Sequence, residues 1–139
     1  MKIKYLILIV ILIFTVSCGN KTTEIKFYYP TEEYEFDENS YIVKNIPSEN
    51  LFEDSIKYVY EYANITIDKI WYENQRICVD LNIVERLRLD GGSAIGGIST
   101  NILVMTFASF PNVKEIEILI NGERCIMDHY NFSEIFKVN

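Results

Sequence analysis

The chain has 139 residues, 49% hydrophobic and 14% aromatic, with six Gly and three Pro. These figures exclude a disordered, collagen-like or disulfide-dense chain, and the length fits one domain. Thirteen Lys plus Arg against twenty Asp plus Glu give a net charge of −7. Such a surface repels phosphate backbones and argues against nucleic acid as a partner.

At the N-terminus, Lys2 and Lys4 precede an unbroken apolar run of ten residues, Tyr5 to Phe14. A helix crossing a bilayer takes about 20 apolar residues, so this run reads as the core of a secretory signal. The following Thr15-Val16-Ser17-Cys18-Gly19-Asn20 resembles a bacterial lipobox, with Thr15 where Leu is usual. In that pattern the signal is cut before Cys18, whose thiol receives a diacylglycerol. The other reading is an ordinary secreted protein that loses Cys18 with its signal. The expected organisation is a signal over 1–17, a lipidated tether over 18–23 and one domain over 24–139. Cleavage removes two lysines and no carboxylate, leaving a charge of −9. An acidic body without a basic patch stands off anionic lipid, so only the anchor on Cys18 touches the membrane, on the extracytoplasmic side.

Glu24 to Tyr29 reads as a strand closed by Pro30. Thr31 to Ser40 carries five carboxylates around Tyr34 and Phe36, and Tyr41 to Ile46 is extended again. A helix follows. Asn50 and Glu53 form a capping-box pattern, Phe52, Ile56, Val59 and Ala63 make an apolar stripe, and Asn64 is a C-terminal stop. Ile65 to Tyr72 and Arg76 to Asn82 predict a hairpin, with Ile77, Val79 and Leu81 on one face. Ile83 to Leu89 fits a loop or a short helix. Ser93 can cap a long helix to Phe110 that contains no charged residue, which marks it as buried. Val113 to Asn121 is the last strand, with Ile116, Ile118 and Ile120 inward. Helices on one face of a mostly antiparallel sheet predict an α+β two-layer sandwich.

From Leu89 onward the residues resemble a known family. Asp90-Gly91-Gly92-Ser93 opens a helix, Thr106-Phe107-Ala108-Ser109-Phe110-Pro111-Asn112-Val113 ends it, and Ile116 to Glu123 is a strand running into Asn121-Gly122. The closure spans His129 to Phe136 and includes Ser133. Together these are similar to the GerMN domain of sporulation and germination proteins, and Ile77 to Asn82 is similar to its valine-centred strand. The resemblance implies an anchored extracytoplasmic lipoprotein module with no established catalytic centre or cofactor. Its fold is similar to ring-building modules, and its partners are envelope or sporulation proteins, or peptidoglycan. The matched positions are Gly91, Gly92, Ser93, Thr106, Phe110, Pro111, Val113, Gly122, His129 and Ser133.

Other candidate sites rest on the residues themselves. The glycines near Ser93 lack the lysine of a phosphate loop, so they read as a flexible opening to a buried helix. The single histidine cannot anchor a His-based metal site, and no nucleophile elbow accompanies it. The acidic run lacks calcium-loop spacing. Cys78 and Cys125 can bridge if the protein is exported. Tyr28, Tyr29, Tyr34 and Trp71 are candidate interaction anchors, beside a first strand whose edge can pair with another chain. The competing reading, a peptidoglycan-directed envelope hydrolase, rests on Glu85 and Asp90 as paired carboxylates.

Overall fold

The computed structural model describes residues 19, 21–126 and 131–139. The signal 1–17, Cys18 and His129 lie outside them. Among the described residues no helix is long and apolar enough to cross a membrane.

The fold is α+β, as the element pattern predicts. Strands β1 (Thr22–Tyr28) and β2 (Tyr41–Pro47) form an antiparallel hairpin. After a single 3-10 turn at Ser48–Asn50 comes α1 (Leu51–Ala63), then β3 (Ile67–Glu73) and β4 (Arg76–Leu81). Helices α2 (Val84–Asp90) and α3 (Ser93–Ala108) lead to β5 (Glu115–Ile120), and β6 (Phe136–Lys137) closes the order. The second sheet runs β3-β4-β5-β6; β4 and β5 are parallel and the other neighbours antiparallel. A parallel pair needs a long crossover, which α2 and α3 supply.

Core placement follows period-2 patterning. Ile77, Val79 and Leu81 of β4 lie beside Ile116, Ile118 and Ile120 of β5, and all six are buried. β1 contributes Ile25 and Phe27 from the other side, with Val59 and Ala63 of α1 and Leu103 and Phe107 of α3 between the sheets. The Phe107 ring lies 5.2 Å from that of Phe110.

Three local expectations need correction. Asn50 makes no side-chain cap: it belongs to the 3-10 turn, with φ −107° and ψ 11°, outside the extended geometry that capping needs. Ser93 is the first residue of α3 and not its cap. That position falls to Gly92, whose φ of +153° suits glycine. The hairpin β1–β2 forms a sheet of its own and does not join the larger one, whereas the stretch after β4, which fitted a loop or a short helix, is the short helix α2. The stop at Asn64 holds as a left-handed residue, φ 53°, donating its N–H to the Tyr60 carbonyl.

Phe107 is wholly buried, so Phe107→Ala is expected to cost about 3–5 kcal/mol, read as a lowered urea midpoint at unchanged slope.

Candidate functional site

A concavity lies where β1, α3 and the C-terminal strand meet. It is an open groove of about 550 Å³ whose floor is Val104, Met105 and Ala108 of α3. Glu24, Lys26 and Tyr28 form one wall and Lys137 and Val138 the other. The floor is half-buried and carries no charge, because the whole of α3 is uncharged from Ser93 to Ala108. A helix apolar on all sides is normally enclosed on all sides. Here one strip remains in contact with water.

The groove exists because α3 holds the edge of β1. The Lys26 N–H donates to Ser109 Oγ at 3.1 Å, and the Tyr28 N–H to Thr106 Oγ1 at 3.2 Å. Both donors point away from β2 and would otherwise be free to pair with a foreign strand. The expectation of an open β1 edge is therefore corrected. Two hydroxyls cover it, Thr106 within α3 and Ser109 just past its end.

The four candidate aromatic anchors are not brought together. Tyr28 is only 6% exposed and packs its ring 5.2 Å from Tyr41 and 6.1 Å from Phe36, so it is largely a core side chain. Tyr29 is half-buried where the chain leaves β1. Tyr34 is exposed on the acidic loop, at φ 59°. Trp71 lies on the outer face of β3 beneath the Lys69 ammonium, 5.0 Å from its ring.

That outer face carries a charged network that sequence reading did not assemble. The parallel register sets Arg76 beside Glu115 and Cys78 beside Glu117. Arg76 donates to Glu115 Oε2 at 3.0 and 3.1 Å and to Glu117 Oε2 at 3.3 Å. Arg124 Nε reaches the other Glu117 oxygen at 2.5 Å. Burial alone would raise the Glu117 pKa, but the Arg124 hydrogen bond and the charges of Arg124 and Arg76 hold it below the ordinary carboxylate value. The buried Cys78 thiol lies 3.7 Å from Glu117 Oε2 and 4.0 Å from a Glu73 oxygen. Burial first, then the two carboxylate charges, push its pKa up to about 11. Glu73, Cys78 and Glu117 bring their ligand atoms within 4.8 Å of one another. A cation there would have to share Glu117 with two guanidinium groups and displace a firmly held thiol proton. The trio is better read as a compensated hydrogen-bond cluster that holds the C-terminal segment to the sheet.

The cysteine bridge is also corrected. Both thiols are free. Cys78 joins the outer-face network, whereas Cys125 packs toward the core cluster on the other side of the sheet. Glu85 is buried, its Oε1 accepting the Thr66 N–H at 2.9 Å and its Oε2 lying 3.6 Å from Arg88. Asp90 is exposed, and five residues along a helix place it ~140° around the axis from Glu85. Those two carboxylates form no shared cleft.

The family-motif positions act mainly on shape. Gly91 has backbone carbonyls 3.3 Å from where a Cβ would sit, and Gly122, at φ +78°, donates its N–H to Asp80. Phe110 and Val113 are buried, and the Pro111 carbonyl accepts the Tyr72 hydroxyl at 3.3 Å. The Ser133 N–H donates to Asn131 Oδ1 at 2.9 Å.

No protein-family profile matches the chain, and no curated protein sequence matches it. Solved structures do. The tandem GerMN domains of the sporulation protein GerM from Bacillus subtilis align over 88% of this chain, with a TM-score of 0.54 and 17% identity. The chain spans about half of that structure, 49%. A candidate lipoprotein from Clostridium perfringens aligns over 84% of this chain and 87% of its own, with a TM-score of 0.47 and 9% identity. The GerM likeness is one of fold.

Two measurements check the outer-face network. A carboxylate with a depressed folded pKa stabilises above its unfolded value, and that contribution is lost as pH falls through the folded value. Glu117→Gln is therefore expected to lower stability by about 1–3 kcal/mol at neutral pH. The gap to the parent should close in acid when unfolding curves are compared. In thiol labelling followed by mass spectrometry, Cys125 should react at neutral pH and Cys78 only after unfolding.

Proposed function

We propose that this chain is a lipid-anchored, extracytoplasmic binding or scaffold module of the bacterial cell envelope, serving sporulation or spore germination. The observation that carries the reading is the uncharged strip of α3, left open between two sheets as the floor of a groove. Apolar strips of this kind mark contact surfaces. The shared fold with the GerMN domains of a sporulation protein supports it, and so does the lipobox-like sequence ending at Cys18. The groove offers apolar area bordered by Lys26, Lys137 and Glu24, which suits a partner surface better than a reacting bond. The most enclosed carboxylates, Glu85 and Glu117, are occupied by backbone or guanidinium partners.

Anchoring and contact are separable by experiment. Cys18→Ala is expected to move the chain from the membrane to the soluble extracytoplasmic fraction; retention of an unprocessed, unlipidated product would overturn the anchor. A photo-crosslinking side chain at Met105, on the groove floor, is expected to capture an envelope protein or wall fragment in sporulating cells. The same probe at Tyr60, exposed on α1, should capture none. Equal capture at both positions would sink the assignment of the groove.

A further inference from the structure

Helix α2 presents an apolar surface that the fold itself leaves unused. Ile83, just before the helix, and Val84 and Leu87 within it are 48%, 58% and 83% exposed, whereas Glu85 and Leu89 on the opposite side are buried. Three large exposed hydrophobics within five positions contrast with the isolated ones that ordinary surfaces carry. At 100° per residue, Ile83 and Leu87 occupy the middle of the exposed arc and Val84 one flank. Arg86 and Asp90 occupy the other flank. Both are exposed, and neither forms an ion pair with a described residue. Their charges stand ~6 Å apart along the axis, with Leu87 close to the midpoint.

We propose that this face is a two-fold interface with a second copy of this chain. The two α2 helices pack antiparallel, Leu87 against the partner's Leu87 near the axis, and each Arg86 lies beside the partner's Asp90. A two-fold contact must be complementary to itself, and an apolar centre flanked by one positive and one negative charge meets that condition. A uniformly acidic or basic partner would be repelled by Asp90 or by Arg86. The anchoring bilayer is also poorly placed as occupant. β1 meets the C-terminal end of α3 at Lys26 and Ser109, while α2 sits at the other end of that helix, roughly 24 Å away. So short a helix offers a few hundred Å² at most, well under the ~800 Å² per partner of stable complexes. The contact is therefore weak in dilute solution and depends on the concentrating effect of a shared membrane. In that respect alone it rests on the anchored reading above.

The test is disulfide crosslinking in intact cells of the full chain carrying Leu87→Cys together with Cys78→Ser and Cys125→Ser. A species of twice the chain mass is expected on oxidation, several-fold above the background of Tyr60→Cys in the same serine background. Arg86→Asp or Asp90→Arg alone should reduce it about fivefold, and the two together should restore it, because the swapped pair is again complementary. A Leu87→Cys chain that stays monomeric, or that joins only a different protein, overturns the proposal. So does a double swap that fails to recover. Fractionation of the same cells scores the anchor separately, so a missing dimer on membrane-bound chain is distinguishable from a missing anchor.

Discussion

Two hydroxyl groups near the end of α3 decide how this molecule is put together. Thr106 and Ser109 accept the backbone N–H groups of Tyr28 and Lys26, across 78 and 83 residues of sequence. Without them the N–H groups of Lys26 and Tyr28 would lie under α3 without a partner, at a cost of about 1–3 kcal/mol for a buried donor left unsatisfied. With them, Ile25 and Phe27 close the apolar space over α1 and α3. The same contact defines one wall of the groove, so the stability of the hairpin and the shape of the candidate binding surface depend on the same atoms.

The outer face of the larger sheet solves a different problem. β6 is only two residues long and gives little ladder energy to hold the segment after β5. Arg124 binds Glu117 from that segment, and Arg76 reaches Glu117 and Glu115 from β4. The Asn121-Gly122 turn is pinned separately through Asp80. Charges on adjacent parallel strands thus do the fastening that a longer strand would do by backbone pairing. The buried Cys78 belongs to this fastening as a thiol donor, in keeping with its raised pKa.

Much of the fold was legible in the residues. The α1 stripe of Val59 and Ala63, the alternation of Ile77, Val79 and Leu81, and that of Ile116, Ile118 and Ile120 all report local periodicity, and they lie where periodicity puts them. What local pattern does not carry is which strand lies beside which. The parallel pairing of β4 and β5 brings Arg76, Cys78, Glu115 and Glu117 together, although β4 and β5 lie more than thirty positions apart in sequence. The hydroxyl clasp on β1 was hidden for the same reason. Thr106 and Ser109 read as ordinary members of an apolar helix until the hairpin is placed against them. The exposed face of α2 was masked by its brevity, since seven residues give too few turns for a stripe to show. Cys78 and Cys125 show the opposite error: compatible chemistry in the sequence, but one thiol sits in the outer-face network and the other packs against the core.

The distant clasp on β1 also has a temporal meaning. A polypeptide delivered N-terminus first exposes Ile25 and Phe27 long before Ser109 has arrived to lock the strand that bears them. Contacts of such long reach form late and slowly. Until then α1 can pack on the face of the hairpin, as Tyr58 does on Phe27, but the edge of β1 stays unpaired and open to any other strand it meets. The strand nearest the lipobox-like segment is thus secured only once the second half of the chain is in place.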